Sequence, residues 1–195
     1  LEFRRVLFRS ACPLTAYRVR LTVSGQAQER PLVVFKDPRL TEVSDADLQA
    51  QYELARQVSD QTSVANEMVI RIREIRQQVE DRVSMMKKPT PSAKAAADRL
   101  LRRLSAIEEA IYQVRNRSPK DPLNFPIRLN NRIAALQRVI EEADARPTRQ
   151  AREVFRELSA ELAGHRSELQ AVVATDLALL NRSFQKLKVE PVSVR

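Results

Sequence analysis

Residues 44–85 read SDADLQAQYELARQVSDQTSVANEMVIRIREIRQQVEDRVSM, and this stretch decides the fold. Leu48, Tyr52, Ala55, Val58, Thr62, Ala65, Val69, Ile72, Val79 and Val83 follow one another in three- and four-residue steps. Such spacing puts them on a single seam of an α-helix. Ser44 with Asp47 has the form of a capping box, so the helix is expected to start there and run to about residue 85. At 1.5 Å rise per residue its length is roughly 55–60 Å. A helix this long with one apolar seam needs partner helices to cover it.

The partners follow downstream. Pro89-Thr90-Pro91 breaks the first helix and Ser92 is positioned to cap a second, expected over about 92–116 with Leu100, Leu101, Leu104, Ile107, Ile111 and Val114 on its seam. The connection SPKDPLNFP (118–126) leads to a third helix at about 126–145, carried by Ile127, Ile133, Leu136, Val139 and Ile140. Thr148 caps a fourth, about 148–187, with Val154, Phe155, Leu158, Leu162, Leu169, Val172, Val173, Leu177, Leu180, Phe184 and Leu187. Two long and two short helices joined by brief proline-containing links predict a mainly α fold, an antiparallel up-down helical bundle. Where the bundle thins, a two-helix stalk is expected to protrude. Two glycines in 195 residues agree with long elements and few turns.

Upstream of the helices the pattern changes. Tyr17, Val19, Leu21 and Val23 alternate with Arg18, Arg20 and Thr22, the period-two signature of a half-buried strand. Ser24-Gly25-Gln26 supplies a turn and Pro31–Phe35 a second strand, which together predict a β-hairpin. Two strands alone are marginal in water, so the hairpin is expected to be the last piece of a sandwich. Leu1–Ser10, LEFRRVLFRS, coincides with the in-frame translation of a short-read sequencing adapter and is left out of the fold argument. The expected organisation is therefore an artefactual leader (1–10), the terminal strands of a truncated Ig-like β-sandwich (11–40), a helical bundle (41–190) and a tail (191–195).

Composition limits the chemistry. The net charge is +9, of which Arg4, Arg5 and Arg9 against Glu2 bring +2 from the leader. The remaining basic residues alternate with acids along the helices, which predicts a salt-bridged surface rather than a polyanion site. Cys12 is the single cysteine, so no disulfide or cysteine metal framework is available. No apolar run reaches the roughly 18 residues of a membrane span. His165, with Glu161 and Glu168 one turn away on either side, is the only imidazole and has no second histidine to complete a bundle metal site. Glu108-Glu109 and Glu141-Glu142 are adjacent on their helices and so point apart; they read as surface charges, not as the facing pair of a glycosidase. The expectation is no catalytic residue, no cofactor and no metal.

Two places are less generic. Asp176 lies between Val173 and Leu177 on the apolar side, where an unpaired carboxylate would be costly; an Arg of the first helix is expected to pair with it, or it accepts a hydrogen bond there. In the stretch 121–131, DPLNFPIRLNN, Asp121 opens the loop and Asn124 is expected to cap the third helix. Pro126 suits its first turn, Phe125 plugs the bundle end, and Asn130 and Asn131 bond back to the loop.

With these pieces placed, the chain resembles the C-terminal region of a family of large bacterial proteins. These carry a sortilin-like or BNR (Asp-box) β-propeller and are often labelled glycosyl hydrolases. The resemblance is carried by YRVRLTVSGQ (17–26), PLVVFKDPRL (31–40), DADLQAQYELARQVSD (45–60), DPLNFPIRLNNRIAAL (121–136), PTRQAREVFRELSAEL (147–162) and ATDLALLNR (174–182). Related chains tend to have Pro-Gly-Thr where this one has Leu14-Thr15-Ala16. The resemblance implies a secreted or periplasmic parent, an N-terminal propeller in the same chain as the chief partner, and a helical stalk that docks protein or self-associates. Two other readings stand beside it: a basic helical module for nucleic acid or anionic surfaces, favoured if Arg71 to Arg82 formed a free stripe, and the buttress of an active hydrolase. Nucleic acid is not the expected partner.

Overall fold

In a computed structural model the chain is mainly helical, a helical bundle preceded by an antiparallel β-hairpin. The structure describes residues 16–86, 90–116, 118 and 120–193. The expected leader 1–10, Cys12 and the last two residues of the expected tail fall outside them. The order is β1 (Ala16–Val23), β2 (Gln26–Val33), α1 (Asp45–Met85), α2 (Pro91–Ile111), a short 3-10 turn (Asp121–Leu123), α3 (Leu129–Ile140), α4 (Arg149–Val172), a π-helical turn (Val173–Leu177) and α5 (Ala178–Lys186).

The hairpin is longer than the residue pattern predicts. β2 begins at Gln26, not at Pro31, because Ser24 (φ 50°) and Gly25 (φ 80°) make a two-residue turn with both central residues left-handed. Such a turn matches the strand twist and holds Val23 opposite Gln26, from which the pairing runs to Ala16 opposite Val33. Ala27, Gln28, Glu29 and Arg30 are drawn into the ladder by this register although they show no apolar alternation. Tyr17, Val19, Leu21, Val23 and Leu32 share one face, whereas Arg18 and Arg20 meet Glu29 on the other, Arg20 Nε donating to Glu29 Oε1 at 2.6 Å.

Helix α1 starts as expected. Asp47 N donates to Ser44 Oγ (3.2 Å) and Ser44 N donates to the Asp47 carboxylate (3.1 Å), a reciprocal box that satisfies two end donors. Helix α2 is capped by Thr90, not Ser92: Ala93 N donates to Thr90 Oγ1, and Pro91 occupies the first turn, where no N–H is needed. It ends at Ile111 rather than near 116, because Tyr112 turns extended (φ −130°, ψ 142°). Helix α3 is shorter than expected at both ends, which leaves Ile127 ahead of it and exposed; Val139, within α3, faces outward and is exposed too, as is Val114 beyond α2. Thr148 caps α4 as read, its Oγ1 accepting from Ala151 N at 3.1 Å.

The described chain forms two compact units. One holds the residues up to Asp60 with Ala135–Phe155; the other holds Gln61–Ala134 with residues from Arg156 on. In the first, Leu54, Ala55, Val58, Leu136, Ile140 and Ala151 are buried. Gln51, 1% exposed, sits among them and donates through Nε2 to Ile140 O and Ala143 O, both 2.6 Å, closing the last carbonyl of α3 and one in the link beyond it. The second unit has the larger core. Ala93, Ala97, Leu100, Leu104, Ile107 and Ile111 of α2 alternate four and three residues apart and are all buried, as are Ile72, Ile75 and Val79 of α1 and Leu162, Leu180 and Phe184 of α4 and α5. Full burial of such side chains contributes about 1.5–3 kcal/mol each, so this seam, more than helix propensity, holds the unit.

Candidate functional site

The polar residues of the second unit are organised around two buried carboxylates. Glu108 of α2, 3% exposed in its side chain, accepts from Arg73 Nε (2.6 Å) and Arg76 Nη2 (2.6 Å) of α1. Arg76 also donates to Ser105 Oγ (3.2 Å), and the Arg73 guanidinium lies 4.9 Å from the centre of the Tyr112 ring. The expectation that Glu108 is a surface charge is thus corrected: it stands four residues after Leu104 and three before Ile111, on the seam itself. Glu109, one residue on, is exposed.

Asp176, 4% exposed, is the second. It lies inward as expected, but its partners are Arg99 and Arg103 of α2, not an arginine of the first helix. Arg99 Nε is 3.0 Å from Oδ1, and Arg103 donates to Oδ2. The π-turn explains the placement. One extra residue in the turn lets Asp176 and Leu177 both face inward, and Thr175 supports it by donating from Oγ1 to Ala171 O (2.7 Å). The two clusters are reciprocal: α2 receives two arginines of α1 on its own acid and sends two arginines to the acid of the π-turn.

The loop nominated from the sequence behaves differently from its reading. Asp121 accepts from Ser118 N (2.7 Å) and Ser118 Oγ (3.0 Å) and so closes the 3-10 turn. Asn124 is exposed and does not cap α3; its N–H donates to Asp121 O (2.8 Å) at the end of that turn, four residues too early for the helix. Pro126 lies outside α3 and its carbonyl accepts from Gln113 Nε2 (2.8 Å). Phe125 is half-buried, its ring 5.8 Å from the Arg115 guanidinium. Asn130 is buried and bonds to α1: its Nδ2 donates to Asn66 Oδ1 (3.3 Å) and its Oδ1 accepts from Asn131 N (2.8 Å). The Asn131 side chain is exposed. Each nominated residue therefore engages a different partner set, and the stretch is built to turn the chain.

A cavity of about 490 Å³ opens in the same unit beside the π-turn, with Met68, Ile70, Leu169 and Val173 offering apolar surface and Arg71 and Arg166 among its polar lining. Glu67, Glu74 and Gln170 complete its polar lining. His165 Nδ1 stands 4.0 Å from Glu168, while Glu161 accepts from Arg132 of α3 (2.9 Å). Among the described residues no three His, Cys, Asp or Glu are grouped to hold a metal ion, and no helix is long and apolar enough to cross a membrane. No family model, curated protein or solved structure matches the chain.

Proposed function

We propose that this chain is a non-catalytic helical interaction module joined through its hairpin to a β-rich domain, as in the C-terminal region of secreted sortilin-like propeller proteins labelled glycosyl hydrolases. The observation that carries the reading is the hairpin. Val19, Leu21 and Val23 form an apolar stripe along β1, on a face shared with Leu32 and with Gln26, Gln28 and Arg30 of β2; the four apolar residues remain 52%, 57%, 55% and 48% exposed, while the helices of both units have buried apolar seams of their own. An apolar face on a two-stranded ribbon is the surface a sandwich would cover. Pro31 supports the same view. With the turn register fixed, it falls at a position whose missing N–H would point away from β1, which blunts the outer edge of β2 and leaves that of β1 open for a further strand.

The non-catalytic part rests on how the acids are used. The two most deeply buried carboxylates among the described residues, Glu108 and Asp176, each lie between two guanidiniums and are used to tie helices together. The basic-module alternative loses its stripe: of the arginines from 71 to 82, Arg73 and Arg76 serve Glu108, and Arg82 donates to main-chain carbonyls of residues 190 and 191. The test is a panel of chromogenic glycosides with the purified chain, together with recovery of the gene upstream of residue 11. No turnover and an upstream propeller are expected; turnover by this chain would sink the reading, as would an upstream region without β-domains.

A further inference from the structure

Beyond α5 the chain reverses and is gripped by side chains. Lys188 takes the left-handed conformation (φ 58°) normally left to glycine; its N–H donates to Gln185 O (3.1 Å), and Val189 N donates to Phe184 O (2.9 Å). This six-to-one closure ends α5 and sends the following residues back along the unit. There Asn181 of α5 bonds both main-chain groups of Val192, accepting from its N–H at 2.8 Å and donating to its carbonyl at 3.0 Å. Gln78 of α1 does the same for Ser193, at 3.1 and 2.9 Å. Arg82, one turn beyond Gln78, donates to Glu190 O (2.7 Å) and Pro191 O (3.0 Å).

Three side chains thus satisfy every main-chain hydrogen-bonding group from the carbonyl of residue 190 to that of residue 193, since Pro191 has no N–H. They do what a neighbouring strand would do. Apart from these bonds, the one deeply sequestered group is Val192, 4% exposed, while Glu190, Pro191 and Ser193 are exposed. Recognition by backbone plus one apolar side chain is how extended peptides are bound: main-chain bonds give affinity and one pocket gives selectivity. We propose that Gln78, Arg82 and Asn181 form an extended-peptide site, selective for a β-branched residue at the Val192 position. Its resident occupant is the chain's own Glu190–Ser193 segment, which a peptide of the same kind displaces.

The resident segment is tethered a few residues from the site, so it competes at an effective concentration on the order of millimolar. The test uses the full chain with Val192→Asp, which ejects the segment, and a fluorescein-labelled KVEPVS peptide followed by anisotropy. Saturable binding is expected, with loss on adding Asn181→Ala, and binding to the unsubstituted chain weaker by on the order of a hundredfold or more. A Val192→Asp chain that keeps its helical circular dichroism but does not bind the peptide overturns the proposal, as does binding indifferent to Asn181→Ala. If Val192→Asp does not fold, hydrogen exchange on the unsubstituted chain decides. Excess unlabelled peptide must speed exchange of the Val192 and Ser193 amides, and unchanged protection at millimolar peptide overturns the proposal.

Discussion

Glu108 and Asp176 are the residues on which the second unit's register turns. A carboxylate that is 3 or 4% exposed costs several kcal/mol to desolvate, and two guanidiniums are what offset that cost. The cations are not equally committed: Arg73 is 50% and Arg99 66% exposed, so either can return to water when its acid is removed. Breaking the cluster from the acid side should therefore cost less than stranding a buried charge. Glu108→Gln, which keeps shape and one acceptor, is expected to lower stability by about 1.5–3 kcal/mol, the range for hydrogen bonds to charged groups. Arg73→Ala alone should cost about 1 kcal/mol or less, because the pair it leaves, Glu108 with Arg76, persists. Urea denaturation at neutral pH reads both, and a Glu108→Gln loss below about 0.5 kcal/mol would remove the cluster from any account of stability. Half of this was legible. The inward position of Asp176 followed from Val173 and Leu177, but which helix answered it depended on packing. The i,i+3 and i,i+4 spacings of Arg73/Arg76 and Arg99/Arg103 were the signal available, once paired with a seam position such as that of Glu108.

Element boundaries show the same division between local and tertiary control. The starts of α1 and α4 were readable because Ser44 and Thr148 cap by local bonds. The end of α2 and the start of α3 were not, because Tyr112 turns out of the helix and Gln113 reaches across the loop to the carbonyl of Pro126, interactions absent from any helical pattern. β2 was likewise missed over Gln26–Arg30, where the turn sets the register and the side chains give no alternation. The start of α1 also carries a pH dependence. Bonds from the Ser44 hydroxyl and then the Ser44 N–H, with the Arg146 guanidinium at 2.7 Å adding attraction, hold the Asp47 carboxyl below its ordinary value of 3.8. A depressed folded value means the stabilisation is fully present above about 4 and is lost as pH falls through the folded value. The first turn of α1 should therefore fray in acid below its ordinary range, seen as faster exchange of the Asp47 and Leu48 amides than of mid-helix amides. Ser44→Ala should weaken that dependence; an identical acid profile in the variant would show that the box does not govern the helix start.

At the scale of the molecule the same surface chemistry has to reconcile a net charge of +9 with an apolar hairpin. The helices and the link before α4 resolve much of their charge internally: Arg73, Arg76, Arg99, Arg103, Arg132 and, in the link, Arg146 all meet carboxylates. The hairpin does not resolve its apolar face in this way, and its charged face, with Arg18, Arg20 and Glu29, is already paired across the strands. An exposed apolar stripe along β1, flanked on the same face by Gln26, Gln28 and Arg30 of β2, is a surface on which a partner or a second copy can associate. Its exposure also means that it adds little to folding stability, so it can be altered without unfolding the helices. Val19→Lys with Leu21→Lys raises the net charge from +9 to +11 and places two ammonium groups on that face. The double variant is expected to bind less of a hydrophobic dye and to sediment as a smaller species at high concentration, with helical circular dichroism and the urea midpoint unchanged. Equal charge added on the opposite face, at Thr22 and Ala27, should leave dye binding nearly as it was. If both pairs act alike, net charge rather than the apolar face governs association, and the hairpin loses its claim to be the docking surface.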